Sequence, residues 1–278
     1  MKASFIGAGR VGSTAAYTLM SRMKIDEIIL VDVVRELAEG EALDLLHASY
    51  ALDNPVKIYG GTDYSKLSGS DVVVISAGVA RKPGMSRLDL LHRNAEIVKQ
   101  ISEKLRKYCE ESVIVVVTNP VDLMTYILWR ETGFPRERLI GMSGVLDTSR
   151  LKSIIGRATS GVVLGEHGDG MFIVGENKEF EEKVRKAAME VIERKGATIF
   201  GPAASIYRLV KAVLTDSRDV LPASAVLDGE YGLKNVAIGV PARIGKSGIL
   251  EIIELEEAKK ELAASASKLR KKLEEIGY

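Results

Sequence analysis

Cysteine occurs once, at Cys109, so no intrachain disulfide can form. A reducing compartment is compatible with that, and Cys109, in "RKYCEES" near a helix end, reads as structural. Histidine is nearly as rare, at His47, His92 and His167 only, and no metal site is expected. No apolar run approaches the roughly 18 residues of a membrane helix, and the glycine-broken stretch in "MKASFIGAGR" is too short for a signal peptide. Excess charge of either sign is missing as well. Lys+Arg 39 against Asp+Glu 38 leaves a net +1, which supplies no broad attraction for nucleic acid or anionic lipid. The expectation is a soluble, cytoplasmic protein with no nucleic-acid or membrane partner, in which any use of positive charge is local. Gln appears once and Asn five times in a chain that is 28% charged, a bias seen in proteins from hot environments. Repeats, low-complexity tracts and flexible linkers are absent too, so any domains should pack tightly.

What the chain has is apolar mass. With 278 residues and 46% hydrophobic content it can bury one large core or two smaller ones. "KASFIGAG" is a short strand-like run closing on glycines, "RVGSTAAYTLMSRM" has helical spacing, and "EIILVDV" is a second apolar run ending in an acid, which together make a βαβ unit. The alternation continues through a helix at "ELAEGEALDLLHASYAL", strands at "VKIYGG" and "DVVVISAG", a helix over "DLLHRNAEIVKQISEKLRKY" and a strand at "SVIVVVTNP". Continuous Val/Ile runs mark strands buried on both faces. Residues 1–142 are therefore predicted to form a Rossmann-type α/β domain with a doubly wound parallel sheet. From 143 to 278 the pattern is that of an α+β domain. It has a helix near 147–157, a strand in "GVVLGEHGDG", a long helical region over about 179–215, two strands around "DGEYG", a run "GILEIIEL" and a charged C-terminal helix.

"GAGRVG" places Gly7, Gly9 and Gly12 in G-x-G-x-x-G spacing after a strand and at the opening of a helix. The first glycine permits the tight turn, the second lets the backbone approach a pyrophosphate, and the third allows close helix packing. Main-chain N–H groups at the helix start, including those of Arg10 and Val11, then face the phosphates, with Ala8 inside the same turn. Asp32 lies 20 residues beyond Gly12 at the end of the second strand, where a carboxylate accepts hydrogen bonds from an adenosine ribose. It would repel a 2′-phosphate, so NAD is favoured, with NADP a secondary cofactor because Arg35 follows three residues on.

His47 and His92 fall within helices and read as packing or surface residues. His167 stands between glycines in "GEHGDG" at the end of an apolar strand, where a side chain can enter a cleft. Imidazole is also the natural proton carrier for carbonyl/alcohol interconversion near neutral pH.

With these residues in view, the sequence resembles the malate and L-lactate dehydrogenases over essentially its whole length. The matching words are "GAGRVGS", "LVDV", "AGVARKPGMSRLDLLHRNA", "TNPVD", "VLDTSRL" and "GEHGDGMF", in family order, with "KGATIFGPA" and "GEYGLKNVAIGVPARIG" beyond them. The resemblance implies an NAD-linked oxidoreductase for an (S)-2-hydroxy acid. His167 would exchange the hydroxyl proton, and Asp147 would hold its tautomer and stabilise the imidazolium. Arg150 would grip the C1 carboxylate, and Arg87 would polarise the reacting carbonyl. Asn119 would contact substrate while the backbone of Val117, Thr118 and Asn119 lines the nicotinamide side, and Asn94 matches a cofactor contact. "ARKPGMSR" would be a loop that closes over the substrate. Arg81 within it implies a dicarboxylate, malate or oxaloacetate, rather than lactate or pyruvate. Relatives are homodimers or homotetramers, so a self-associating protein is implied, often through the helix carrying "GEALDLLHA". The segment between "GEHGDGMF" and "KGATIFGPA" is shorter than the family usually has.

Overall fold

The computed structural model describes residues 1–79, 86–157 and 159–278; the Arg87 side chain is also outside the description. The first half alternates strand and helix: β1 (Lys2–Ile6), α1 (Arg10–Arg22), β2 (Glu27–Val31), α2 (Arg35–Ala51), β3 (Lys57–Gly61), β4 (Val72–Ile75), α3 (Arg87–Tyr108), β5 (Val113–Val116), α4 (Val121–Thr132) and β6 (Leu139–Gly141). Its six strands are parallel and ordered β3-β2-β1-β4-β5-β6. This is the doubly wound order, and ligands bind such sheets at the carboxyl ends of the strands where the order reverses. The apolar runs lie where their composition puts them, with β4 and β5 buried along their whole length. Each fully buried Val or Ile contributes roughly 1.5–3 kcal/mol relative to exposure.

The second half continues with α5 (Gly144–Ile155), β7 (Val162–Gly165), β8 (Met171–Val174), α6 (Glu181–Lys195), α7 (Phe200–Leu214), β9 (Asp219–Asp228), β10 (Lys234–Gly245), β11 (Gly248–Ile252) and α8 (Lys259–Glu274). Its strands pair antiparallel. The two halves share one sheet rather than owning separate ones. β6 meets β9 through the single antiparallel pair Gly141↔Ser224. Glycine is required there because a Cβ would lie 2.5 Å from the Ser224 Cβ. Helix α7 packs back onto α1, so the halves also join through their helices.

Three elements differ from the sequence reading. The single helical region expected over 179–215 is two helices, because Gly196 ends α6 in the left-handed conformation (φ +87°) and glycine takes that shape without a Cβ penalty. Helix α4 had no place in the pattern, since Val121 to Leu128 are all buried and a helix covered on every side shows no polar stripe. Strand β8 follows β7 across the "EHGDG" turn, so the histidine sits in a tight hairpin connection. No helix among the described residues is long and apolar enough to cross a membrane.

Candidate active site

The glycine turn links β1 to α1 by contacts that leave no room for side chains. Gly7 has φ +103°, and a Cβ there would sit 2.6 Å from the Ala77 nitrogen; one on Gly12 would lie 2.0 Å from the Gly7 oxygen. Gly9 is the exception, with nothing within 4 Å of its Cβ position. The first and third glycines are thus filled by protein, and the second faces open space where backbone can approach a pyrophosphate. Ala8 is buried, Arg10 exposed and Val11 half-buried. Gly9 caps α1 without a side-chain acceptor, and the first turn carries no acid, so the positive end of the helix is available to an anion. Asp32, half-buried at the end of β2, accepts hydrogen bonds from Ala8 N (2.8 Å) and Val34 N (3.0 Å). Its carboxylate is therefore oriented by the loop it serves. Arg35 points its charge at Glu39, 3.5 Å away, on its own helix.

The ends of β4 and β5 are tied to one another by Thr118 and Asn94. Thr118 Oγ1 donates to Ala77 O at 2.6 Å, and Val117 N donates to Ile75 O at 2.8 Å. Asn94, only 1% exposed on α3, accepts from Val79 N (2.9 Å) through Oδ1 and donates from Nδ2 to Asn119 O (2.7 Å). The sequence reading placed Asn94 against the cofactor; its amide is largely engaged by the chain, crossbracing the two loops that frame that site. Asn119 is exposed, and its bond to Pro120 is cis. Helix α3 starts with a reciprocal cap: Ser86 Oγ accepts from Asp89 N and Asp89 Oδ2 from Ser86 N, which satisfies two otherwise orphaned donors. Arg87 is the first residue of that helix. Arg81, with the rest of 80–85, lies outside the described residues.

His167, in the β7–β8 connection, places Nδ1 2.5 Å from Asp147 Oδ2. Asp147 is 2% exposed in the first turn of α5, and its other oxygen accepts from Arg150 Nη1 at 2.8 Å. Three residues named from sequence therefore form one line, Arg150–Asp147–His167. Burial alone would push the His167 pKa down, but the charge and hydrogen bond of Asp147 outweigh it and hold the imidazole above its ordinary value of 6.5. A ring whose Nδ1–H is given to a carboxylate presents Nε2 as the free proton acceptor. The other histidines do not join this group: His47 on α2 and His92 on α3 are exposed. Cys109 is buried, and burial pushes its thiol up to about 12, which leaves it protonated and unreactive near neutral pH.

One residue of the neighbourhood escaped the sequence reading. Asp122, second in α4 and 2% exposed, accepts the main-chain N–H of His167 through Oδ2 at 2.7 Å. It closes the word "TNPVD" without having been given a role there, and it is the one acid in the buried run Val121–Leu128 of its helix.

A glycine turn of dinucleotide-binding form at the end of the first strand of a doubly wound sheet, together with a carboxylate-backed histidine in the same chain, is the combination found in nicotinamide-dependent dehydrogenases. Family comparison makes the assignment specific. Residues 1–141 match the lactate/malate dehydrogenase NAD-binding domain and residues 174–277 its alpha/beta C-terminal domain, and the chain belongs to the lactate/malate dehydrogenase family. It is 50% identical to the malate dehydrogenase of Archaeoglobus fulgidus over 100% of both chains. The solved structure of malate dehydrogenase from that organism in complex with NADH superposes with a TM-score of 0.96, at 51% identity and full coverage of both chains. A minor L-lactate dehydrogenase from Enterococcus mundtii is also similar, with a TM-score of 0.90 and 34% identity, covering 99% of this chain and 98% of that one.

Proposed function

We propose that this protein is an NAD-dependent malate dehydrogenase, interconverting (S)-malate and oxaloacetate, and that the residues assembled above carry the reaction. The observation that supports this most strongly is the Arg150–Asp147–His167 line, in a chain that also has the glycine turn and is half-identical to a malate dehydrogenase along its full length. Bound NAD supplies the hydride acceptor or donor at its nicotinamide ring. Gly7, Ala8, Gly9, Arg10, Val11 and Gly12 would hold its pyrophosphate, Asp32 its adenosine ribose, and Val117 to Asn119 the nicotinamide side, with Asn94 bracing that wall.

In the direction of oxidation, His167 Nε2 takes the hydroxyl proton from malate, and Asp147 stabilises the imidazolium that results. In reduction the same proton is returned. Arg150 spends one N–H on Asp147 and keeps the rest of its fork for the C1 carboxylate of substrate. Arg87 polarises the carbonyl, where negative charge develops as hydride arrives. Asn119 contacts the substrate, and Arg81 meets the second carboxylate. A cytoplasmic homo-oligomer, dimer or tetramer, belongs to the same reading; Leu43 and Tyr50 on α2 leave apolar surface exposed.

Initial rates with oxaloacetate and pyruvate, each with NADH and NADPH, test this directly. Oxaloacetate with NADH is expected to be the preferred pair, and faster reduction of pyruvate would make the protein a lactate dehydrogenase instead. Asp32 has its own test. In Asp32→Ser the preference for NADH over NADPH is expected to fall about tenfold or more, the scale of a charge-assisted hydrogen bond together with the lost repulsion of a 2′-phosphate. The KM for NADH should rise as well, because Ala8 N and Val34 N lose their acceptor. An unchanged ratio of kcat/KM for the two cofactors would remove Asp32 from this role.

A further inference from the structure

We propose that Asp122 is a positioning residue of the proton relay, fixing the main chain of His167 from helix α4 and placing a second negative charge beside its imidazole. This rests on the reading of His167 as the proton carrier. The geometry is specific. Asp147 holds the ring through Nδ1, while Asp122 Oδ2 holds the backbone nitrogen of the same residue at 2.7 Å. Two carboxylates on two helices therefore clamp one histidine, one by its side chain and one by its peptide.

Asp122 is an expensive way to make a hydrogen bond to a peptide N–H. The side chain is 2% exposed, its Oδ1 has no hydrogen-bond partner among the described residues, and burial raises its pKa to about 6. Asparagine would accept the same N–H without burying a charge. An acid in the first turn of a helix is ordinarily explained by the helix dipole, but that effect lowers a carboxyl pKa, the reverse of what burial has done here. What aspartate adds over asparagine is charge, and that charge favours the imidazolium form of His167. The other groups facing the pair are few. Glu166 beside His167 disfavours ionisation of Asp122, and Ser224 on β9 eases it. Asp147 raises the His167 pKa and Arg150 lowers it. Glu166 is itself paired with Lys272 of α8 at 2.5 Å.

Asp122→Asn separates the two contributions, since it keeps an acceptor for the His167 N–H and removes the charge. With only three histidines in the chain, NMR titration of 15N-labelled imidazoles follows His167 directly. The expected result for Asp122→Asn is a His167 titration displaced to lower pH. The kcat–pH profile for oxaloacetate reduction should move in the same sense, with the KM for NADH within about twofold of wild type. Asp122→Ala, lacking the acceptor too, should lose about tenfold or more in kcat beyond the asparagine variant; should the alanine variant not fold, the asparagine titration decides alone. An Asp122→Asn protein whose His167 titration and kcat–pH profile match wild type overturns the proposal, whatever its melting temperature. Full turnover in His167→Asn would overturn the reading of His167 and this proposal with it. An inactive His167→Asn beside an unaffected Asp122→Asn overturns the proposal alone.

Discussion

In His167→Asn, turnover in both directions is expected to fall by about 10²–10⁴-fold, the range of a lost general acid/base, while the KM for NADH stays near wild type. The amide can occupy the same space but cannot accept and return a proton. Asp147→Asn should approach the same loss by a different route. Its NH2 can donate to Nδ1, which would favour the tautomer with the proton on Nε2 and leave no base facing the substrate. The sign of the pH dependence follows from the raised imidazole pKa. With His167 as the proposed proton carrier, reduction of oxaloacetate would need the imidazolium, so kcat/KM should hold through pH 6.5 and decline as pH rises through the raised value. Oxidation of malate needs the neutral ring and should rise across the same interval. The stabilisation from the His167–Asp147 contact runs parallel to the reductive activity. It is complete below about 6.5 and is lost as pH climbs through the folded-state value. Steady-state profiles in both directions check all of this, and a reductive profile flat through pH 9, with undiminished turnover in His167→Asn, would exclude the histidine as proton carrier.

Arg81→Gln should exchange substrates. On the proposed role of Arg81, oxaloacetate would pair its guanidinium through the second carboxylate, whereas pyruvate would offer it only a methyl group. Breaking a buried ion pair costs about 3–5 kcal/mol, so the ratio of kcat/KM for oxaloacetate over pyruvate is expected to drop by about two to three and a half orders of magnitude. Glutamine removes the partner of the dicarboxylate and the penalty against the methyl substrate together. Arg150 and Arg87 are unchanged in the variant, so on their proposed roles the C1 carboxylate and the carbonyl would keep their partners and pyruvate reduction should gain in relative terms. A variant that loses both substrates equally would place Arg81 in loop structure rather than in substrate choice.

Much of this fold was open to reading because its strands are continuous apolar runs and its turns are punctuated by glycine. β1, β2, β4 and β5 each announce themselves that way. Periodicity failed where burial is complete or elements are short. The first two turns of helix α4, Val121 to Leu128, are buried on all sides, and β6 has only three residues. The union of the two halves through Gly141 and Ser224 depends on a single long-range pair, to which no local pattern corresponds. In the site, the glycine spacing and the distance to Asp32 carry their own chemistry. The separation of 20 positions from Asp147 to His167 does not, since a helix and a hairpin bring them together, and family resemblance was the route to that pair. The resemblance located Asn94, and the long-range bonds of its amide to Val79 and Asn119 correspond to no local pattern in the sequence. Asp122 was passed over because an acid near a helix start is common and burial is not written in the residue itself.

The hold on His167 from both halves of the chain bears on how this fold can be recombined. A graft of residues 143–278 onto a foreign nucleotide-binding half carries the histidine, Asp147 and Arg150 together, because all three lie within the transferred segment. It leaves Asp122 behind, and with it the acceptor for the His167 peptide N–H. Compatible donors for such chimeras are therefore those whose helix after the fifth strand has a carboxylate in its second position. Beyond the shared sheet and the α1–α7 packing, then, modularity in this molecule is limited at the relay by one side chain.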